Sequence, residues 1–156
     1  MIRVAINGYG TIGKRVADAV AAQKDMRVIG VSKTSLNAEA YVARERGYPL
    51  YLADLGKKSA FEKSGIPIAG DIPAMIHEAD VVVDATPGGV GEKNKPLYEE
   101  AGVKAIFQGG EDHEVAGFSF CSDCNFEQAR GKQFVRVVSC NTTGLCRVIN
   151  TVDKAF

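Results

Sequence analysis

The chain carries no surplus of charge. Nineteen Lys and Arg residues balance nineteen Asp and Glu, so there is no reason to expect nucleic acid, an anionic membrane or a steered charged partner. No apolar run approaches the ~18 residues of a membrane-spanning helix. The N-terminus runs straight into a strand, with no basic leader and no cleavage site, so no secretory signal is expected and a cytoplasmic protein is. The four cysteines then read as reduced thiols rather than a disulfide framework. Internal repeats, low-complexity tracts and flexible linkers are absent too. What is left, with 46% hydrophobic and 24% charged residues over a length of 156, fits one ordinary globular domain.

Organisation begins at the first residues. Met1-Ile-Arg-Val-Ala-Ile6 is a short apolar run with β-branched side chains, and it reads as a buried strand. Asn7-Gly8-Tyr9-Gly10-Thr11-Ile12-Gly13 follows at once, after which Ile12, Val16, Ala19 and Val20 recur at helical spacing. Strand, GxGxxG and helix in direct succession are the dinucleotide-binding fingerprint in the context it requires. Gly8 permits the tight turn, Gly10 lets a pyrophosphate approach the backbone, and Gly13 lets the helix pack close to the strand. The helix start offers free N–H groups and a positive dipole end to the phosphates.

The rest of the chain alternates. Strands are expected over residues 26–31, 80–85, 103–107 and 134–138, and shorter candidates over 50–53, 66–69 and 118–121. Pro67 argues against a central position for the stretch 66–69. Helices are expected over 37–46, ended by Gly47 and Pro49, over 72–78 with Asp71 as N-cap and Pro73 in the first turn, and over 94–101 up to Gly102. This pattern predicts an α/β fold: a Rossmann-type doubly wound, mainly parallel sheet flanked by helices. Thr86-Pro87-Gly88-Gly89-Val90-Gly91 and Gln108-Gly109-Gly110-Glu111 stand at strand carboxyl ends, where such sheets bind ligands. A plain flexible loop is the alternative for the first of them.

One absence bears on the cofactor. About 20 residues past the glycines, an NAD-binding unit carries an acid for the ribose 2′-OH. Here the second strand runs into Ser32-Lys33-Thr34-Ser35. A cation and hydroxyls suit a 2′-phosphate that an Asp would repel, although Lys33 also fits a solvated surface lysine. NADP is therefore the expected cofactor, with NAD still usable.

Histidine is scarce: His77 on a helix and His113 in an acidic turn read as structural or surface residues rather than bases. Cys121 and Cys124 form one CxxC with no second pair to complete a zinc site and no convincing helix-start context for a redox pair. They read as packed or idle thiols, and no metal is expected. The strand over 134–138 ends in Ser139-Cys140-Asn141-Thr142-Thr143-Gly144, and beyond it Leu145, Val148, Ile149, Val152 and Phe156 fall at helical spacing. Cys140 thus stands at or just before a helix N-terminus, where free N–H groups and the dipole favour thiolate. A cysteine packed at a strand end fits the same residues equally well.

These motifs together resemble one family. The stretches 7–13 and 139–144, with Val31-Ser32-Lys33-Thr34, Ala85-Thr86-Pro87-Gly88 and Phe107-Gln108-Gly109-Gly110-Glu111, resemble archaeal phosphorylating glyceraldehyde-3-phosphate dehydrogenase, and the resemblance runs over the whole chain. It implies Cys140 as the nucleophile that attacks glyceraldehyde 3-phosphate, hydride transfer to NAD(P), and release of the thioester by inorganic phosphate as 1,3-bisphosphoglycerate, in glycolysis or gluconeogenesis. It implies Ser139, Asn141 and Thr142 beside the substrate, with the Asn141 N–H towards the oxyanion. Asn7, Gly8, Gly10, Thr11, Ile12, Gly13, Thr86, Pro87, Gly88, Gln108 and Gly110 are the implied cofactor contacts, and Lys33 and Thr34 the contacts to the 2′-phosphate. Family members are roughly twice as long and assemble as homotetramers, with a second domain that carries the histidine base and the phosphate-binding arginine. Residues 1–139 are thus expected to form an NAD(P)-binding domain, and 140–156 the nucleophile and the truncated start of the catalytic-domain helix. Two alternatives stay open: a fragment of an amino-acid semialdehyde dehydrogenase, and an NADP-binding or assembly module without its own catalysis.

Overall fold

A computed structural model describing residues 1–156 puts the first apolar run at the centre of the sheet. β1 (Ile2–Asn7) lies between β2 (Met26–Lys33) and β5 (Val81–Asp84). Val4, Ala5 and Ile6 are at most 3% exposed: both faces of the strand are covered, so its sequence shows no polar alternation. Outside β2 come β3 (Leu50–Leu52) and β4 (Ile68–Asp71); outside β5 come β6 (Lys104–Phe107), β8 (Phe134–Val137) and β7 (Ser119–Phe120). The order is β4-β3-β2-β1-β5-β6-β8-β7, and every pairing is parallel. The doubly wound sheet expected from the alternation is therefore wholly, not mainly, parallel. Winding proceeds from β1 towards β4, then returns to β5 beside β1. The β1/β5 gap is the switch point at which such sheets open a ligand crevice.

Helices cover both faces. α1 (Thr11–Ala21), α2 (Ala38–Glu45) and α3 (Lys58–Lys63) bury Ala17, Val20, Ala40, Ala43 and Phe61 against Val4 and Ile6. α4 (Ile72–His77), α5 (Val90–Glu100) and α6 (His113–Ala116) bury Met75, Ile76, Tyr98 and Val115 on the other face, with Ala5. Alternate residues of β1 thus feed two cores. Arg3 ties β1 to the approach to β5 through a two-point contact with Asp80, Nη2 to Oδ1 at 2.7 Å and Nε to Oδ2 at 3.2 Å.

Several boundaries differ from the sequence expectation. α5 starts at Val90, four positions before the expected 94, because Gly89 at φ +77° turns the chain into the helix. Pro67 stays outside β4, which takes the sheet edge that proline permits, and the Asp71 carboxylate caps α4 by accepting from the Ala74 N–H at 2.9 Å. α3, α6 and α7 (Ser122–Ala129) were not anticipated; they are short, and weakly amphipathic runs of this length leave little periodic signal. α8 (Cys140–Ala155) has no buried residue, and Leu145, Val148, Ile149 and Val152 are 53–66% exposed along it. α7 holds it: Arg147 Nε meets Asp123 Oδ2 at 2.6 Å, and Asn150 Nδ2 donates to the Asp123 carbonyl at 2.9 Å. No helix is long and apolar enough to cross a membrane.

Candidate functional site

The glycine loop between β1 and α1 is shaped by three different demands. Gly8 has φ +98°, and a Cβ there would lie 2.8 Å from the Ala85 carbonyl carbon and the Thr86 nitrogen. Backbone sign and the neighbouring loop both require glycine. Gly13 faces the Gly8 carbonyl oxygen across the first turn of α1, so closely that any Cβ would collide with it. Gly10 is different: a Cβ there would meet nothing within 4 Å. The protein itself makes no use of that bareness, whereas a diphosphate laid across the loop would. The unpaired N–H groups of the first turn of α1 point the same way.

A buried hydrogen-bond chain fixes the loop from behind. Asn7 Oδ1 accepts from Ser32 Oγ at 2.6 Å, and Asn7 Nδ2 donates to Tyr98 Oη at 2.7 Å. Ser32 Oγ accepts the Gly8 N–H at 2.8 Å. Tyr98 donates in turn to Asp84 Oδ2 at 2.6 Å, which also takes Asn94 Nδ2 at 2.9 Å. The Asp84 carboxylate also accepts the N–H and hydroxyl of Thr86. Burial, with Asp84 alongside, pushes the Tyr98 phenol well above its ordinary range. Asn7, Ser32, Asp84 and Tyr98 are each at most 3% exposed, so β1, β2, β5 and α5 are locked together here. Asn7, expected at the cofactor, lines the cleft, but its amide is spent inside the protein. Asp84, Asn94 and Tyr98 escaped the sequence reading. The available signal was Asp84 itself, an acid ending an apolar strand, since a buried carboxylate must find donors.

The loop borders an open cleft of about 500 Å³ at the switch point. Among the expected cofactor residues, Asn7, Gly8, Gly10, Thr11, Ile12, Lys33, Thr34, Thr86, Pro87 and Gln108 line it. Gly13 stands behind the loop, and Gly88 and Gly110 line a separate depression of about 340 Å³ among Glu92, Glu111, Asp112 and Glu114. Lys33 is not the solvated surface lysine that its type suggests. It is 8% exposed, with Nζ 3.2 Å from the Tyr9 carbonyl oxygen and 4.0 Å from Glu39 Oε2. Burial lowers its pKa against the opposing pull of Glu39. Lys14 Nζ lies 3.4 Å from the same carboxylate, and Lys57 Nζ donates to the Thr34 carbonyl at 2.9 Å. Lys14 and Lys33 thus share the Glu39 carboxylate, while Lys33 and Lys57 each reach a backbone carbonyl, of Tyr9 and Thr34, near the end of β2.

Cys140 is the first residue of α8 and is exposed, which removes the reading of a packed cysteine. Ser139 is the N-cap: its Oγ accepts from the Thr142 N–H at 3.2 Å and lies 2.9 Å from Thr142 Oγ1. The thiol of Cys140 lies 3.9 Å from Asn141 Oδ1. Ser139, Cys140, Asn141 and Thr142 gather at one helix start, but none of them lines the cleft at the switch point. His77 is exposed at the end of α4, and His113 sits 2.9 Å from Ser119 Oγ, away from both places.

The CxxC corrects an expectation. Cys121 is the N-cap of α7 and Cys124 lies in its first turn, so the motif does open a helix. Cys146 of α8 joins them, and the three sulfurs lie within 4.8 Å of one another. Cys124 is itself exposed, and desolvation beside the neighbouring Cys121 pushes its thiol up to about 11.

Residues 2–109 match the family described as dihydrodipicolinate reductase, N-terminus. The chain is 74% identical over 156 residues to glyceraldehyde-3-phosphate dehydrogenase of Methanoregula boonei, which covers 100% of this chain and 46% of that protein. It is 65% identical over 152 residues to the enzyme of the same name from Methanosarcina mazei, covering 97% and 45%. The chain spans about half the length of these curated relatives. Among solved structures, apo scyllo-inositol dehydrogenase from Lactobacillus casei aligns with a TM-score of 0.55 at 17% identity over 87% of this chain and 36% of that one. GenD2 from gentamicin A biosynthesis, in complex with NAD, aligns at 0.54 and 16% identity, over 87% and 34%. At such identities the structures speak for the fold alone. The resemblance to archaeal glyceraldehyde-3-phosphate dehydrogenase holds along the full chain.

Proposed function

We propose that this chain, which belongs to the dihydrodipicolinate reductase N-terminal family and so to the NAD(P)-binding dehydrogenase domains, is the cofactor-binding half of a phosphorylating glyceraldehyde-3-phosphate dehydrogenase. One observation carries the choice. The family match stops at Gly109, whereas the 74% identity to the Methanoregula boonei enzyme continues through Cys140 to the last residue. A reductase reading leaves the exposed cysteine at the start of α8 without a purpose, and so does a module that only binds NADP. The SCNTTG stretch also argues against an amino-acid semialdehyde as substrate.

When bound, the nicotinamide would supply the hydride acceptor for oxidising an aldehyde carried on Cys140. The chain's own residues do the rest of what this half contributes. The backbone from Gly8 to Thr11 and the first turn of α1 hold the diphosphate. Lys33 and Thr34, with Lys57 against the Thr34 carbonyl, offer positive charge and a hydroxyl to a 2′-phosphate, which favours NADP over NAD. Cys140 Sγ adds to the aldehyde carbon, and the Asn141 N–H at the helix start stabilises the oxyanion. Inorganic phosphate then displaces the Cys140 thiol from the acyl group and leaves as 1,3-bisphosphoglycerate. Base and substrate-phosphate contacts come from the other half of such an enzyme, so this chain by itself turns over little or no substrate. The same reading makes the full enzyme a cytoplasmic oligomer of glycolysis or gluconeogenesis.

Calorimetric titration with NADP and NAD tests the cofactor assignment. NADP binds more tightly, and Lys33→Ala removes about tenfold of that preference, roughly 1.4 kcal/mol. Equal affinity, or tighter NAD, sinks it. Limited iodoacetamide labelling of metal-free, reduced protein tests the nucleophile: Cys140 is modified first, and a lead by Cys121, Cys124 or Cys146 removes its special status.

A further inference from the structure

Away from the cleft, three cysteines converge where α7 meets α8. Cys121 is 5% exposed at the N-cap of α7, Cys124 stands in the first turn of that helix, and Cys146 comes from α8. We propose that their sulfurs form a site for a soft divalent metal ion, zinc in the first instance, held by three thiolates with a fourth position open to an external ligand. The proposal stands independently of the cofactor and substrate reading.

Geometry is the first support. All three sulfurs lie within 4.8 Å of one another. Tetrahedral zinc at about 2.3 Å from each sulfur holds them about 3.8 Å apart, so small rotations about the side-chain bonds close the triangle. Local structure is the second. The N–H groups of Cys124 and Asn125 both donate to the Cys121 carbonyl, at 3.0 and 3.1 Å. Asn125 Oδ1 accepts from the Cys121 N–H at 2.9 Å, and its Nδ2 donates to the Ser119 carbonyl at 2.9 Å. Backbone and amide groups thus hold the CxxC turn, leaving the thiols nearly free. Their one hydrogen bond in the cluster is weak, from Cys124 Sγ to the Cys146 carbonyl at 3.7 Å.

The third support is what brings Cys146 in. Arg147 and Asn150 both grip Asp123, one of the two residues between Cys121 and Cys124. That grip seats α8 on α7 with Cys146 over the CxxC. It also occupies the Asp123 carboxylate, so the ligand set is sulfur alone, which selects zinc or another soft ion over magnesium and calcium. A disulfide would use two sulfurs and strand the third, whereas an ion uses all three. Ligation releases each thiol proton to solvent, so affinity rises with pH. Since α8 has no buried residue, the ion would become its firmest tie to the sheet. Cys140 begins that helix, and metal occupancy would therefore set how firmly the nucleophile is held.

Reduced, chelator-treated chain titrated with Co(II) tests this. The expected result is a near-ultraviolet thiolate-to-cobalt band and tetrahedral visible bands saturating at about one ion per chain, both displaced by Zn(II). Cys124→Ser and Cys146→Ser abolish the bands, and Cys140→Ser keeps them. Cys121 is buried and its substitution endangers the fold, so its part is read on the unaltered chain. There Zn(II) protects Cys121, Cys124 and Cys146 from N-ethylmaleimide and leaves Cys140 reactive. No tetrahedral spectrum from fully reduced protein, bands that survive the loss of Cys146, or protection extending equally to Cys140 would overturn the proposal. So would a Cys124–Cys146 disulfide forming in a protein that takes no cobalt when reduced.

Discussion

Replacing Gly8 and Gly10 separately by alanine distinguishes a loop built for a ligand from one that is merely a tight turn. At Gly8 an alanine must adopt φ +98°, which costs about 1–3 kcal/mol for a residue with a side chain. Its Cβ also arrives 2.8 Å from backbone atoms of Ala85 and Thr86, and forcing that contact adds about 1–3 kcal/mol. Gly8→Ala should therefore destabilise the protein by about 2–6 kcal/mol. Gly10 has φ −105° and ψ −153°, extended backbone that any residue adopts, and nothing lies within 4 Å of its missing Cβ. There alanine gains about 0.4–1 kcal/mol by restricting the unfolded chain. It loses a similar amount, about 0.5–1 kcal/mol, as a poorer N-cap of α1. Urea unfolding should thus place Gly10→Ala within about 0.5 kcal/mol of the parent. NADP titration of the same protein should show at least about tenfold weaker binding, because the methyl group would stand where the proposed diphosphate site meets the backbone. If Gly10→Ala binds NADP within about twofold of the parent, or is destabilised as much as Gly8→Ala, the loop is a turn and not a cradle.

Two further outcomes follow from the same contacts. Tyr98→Phe keeps the ring packing but removes a donor to the Asp84 carboxylate and the acceptor of Asn7 Nδ2; it should cost about 2–4 kcal/mol in urea unfolding and weaken NADP binding by loosening the glycine loop, and a loss below about 1 kcal/mol would show the network is not holding it. Asp80 offers a pH test: hydrogen bonds from Arg3 pull its carboxyl down to about 2. The fold therefore favours the charged form, and the stabilisation is complete above the ~3.9 of a free aspartate and lost as pH falls towards the folded value. The gap in urea midpoint between the parent and Asp80→Asn should narrow below about pH 4, and a gap that stays constant with pH refutes the pairing.

Local rules sufficed for the N-terminal third of the site. β1, the glycine turn and α1 are adjacent in sequence, and a buried run, a positive-φ glycine and a 3.6-residue period each leave marks within a few residues of their cause. The same locality explains why Cys140 could be placed at a helix start, with Ser139 as its cap. Pro67 marked an edge because a missing N–H matters wherever the strand lies. Lys33 was less legible: its type suggested solvent, and only the fold put Tyr9 and Glu39 around it.

Groups far apart in the chain could be joined only by folding. Asp84 and Tyr98 serve Asn7 because the chain returns from β4 to lay β5 against β1, bringing residues 91 positions apart to 2.7 Å. Cys146 meets Cys121 and Cys124 because α8 settles on α7 through Asp123, a pairing that no spacing within either helix encodes. Periodicity reports which face of an element is apolar; it says nothing of which distant element will cover it or which polar groups will arrive together. The composition and motifs of this chain therefore dictated a parallel α/β domain with a glycine-rich turn between its first strand and helix and a cysteine at a helix start. The buried bracket behind that loop and the cluster of thiols came from packing, where contacts across long sequence separations are chosen by the whole sheet at once.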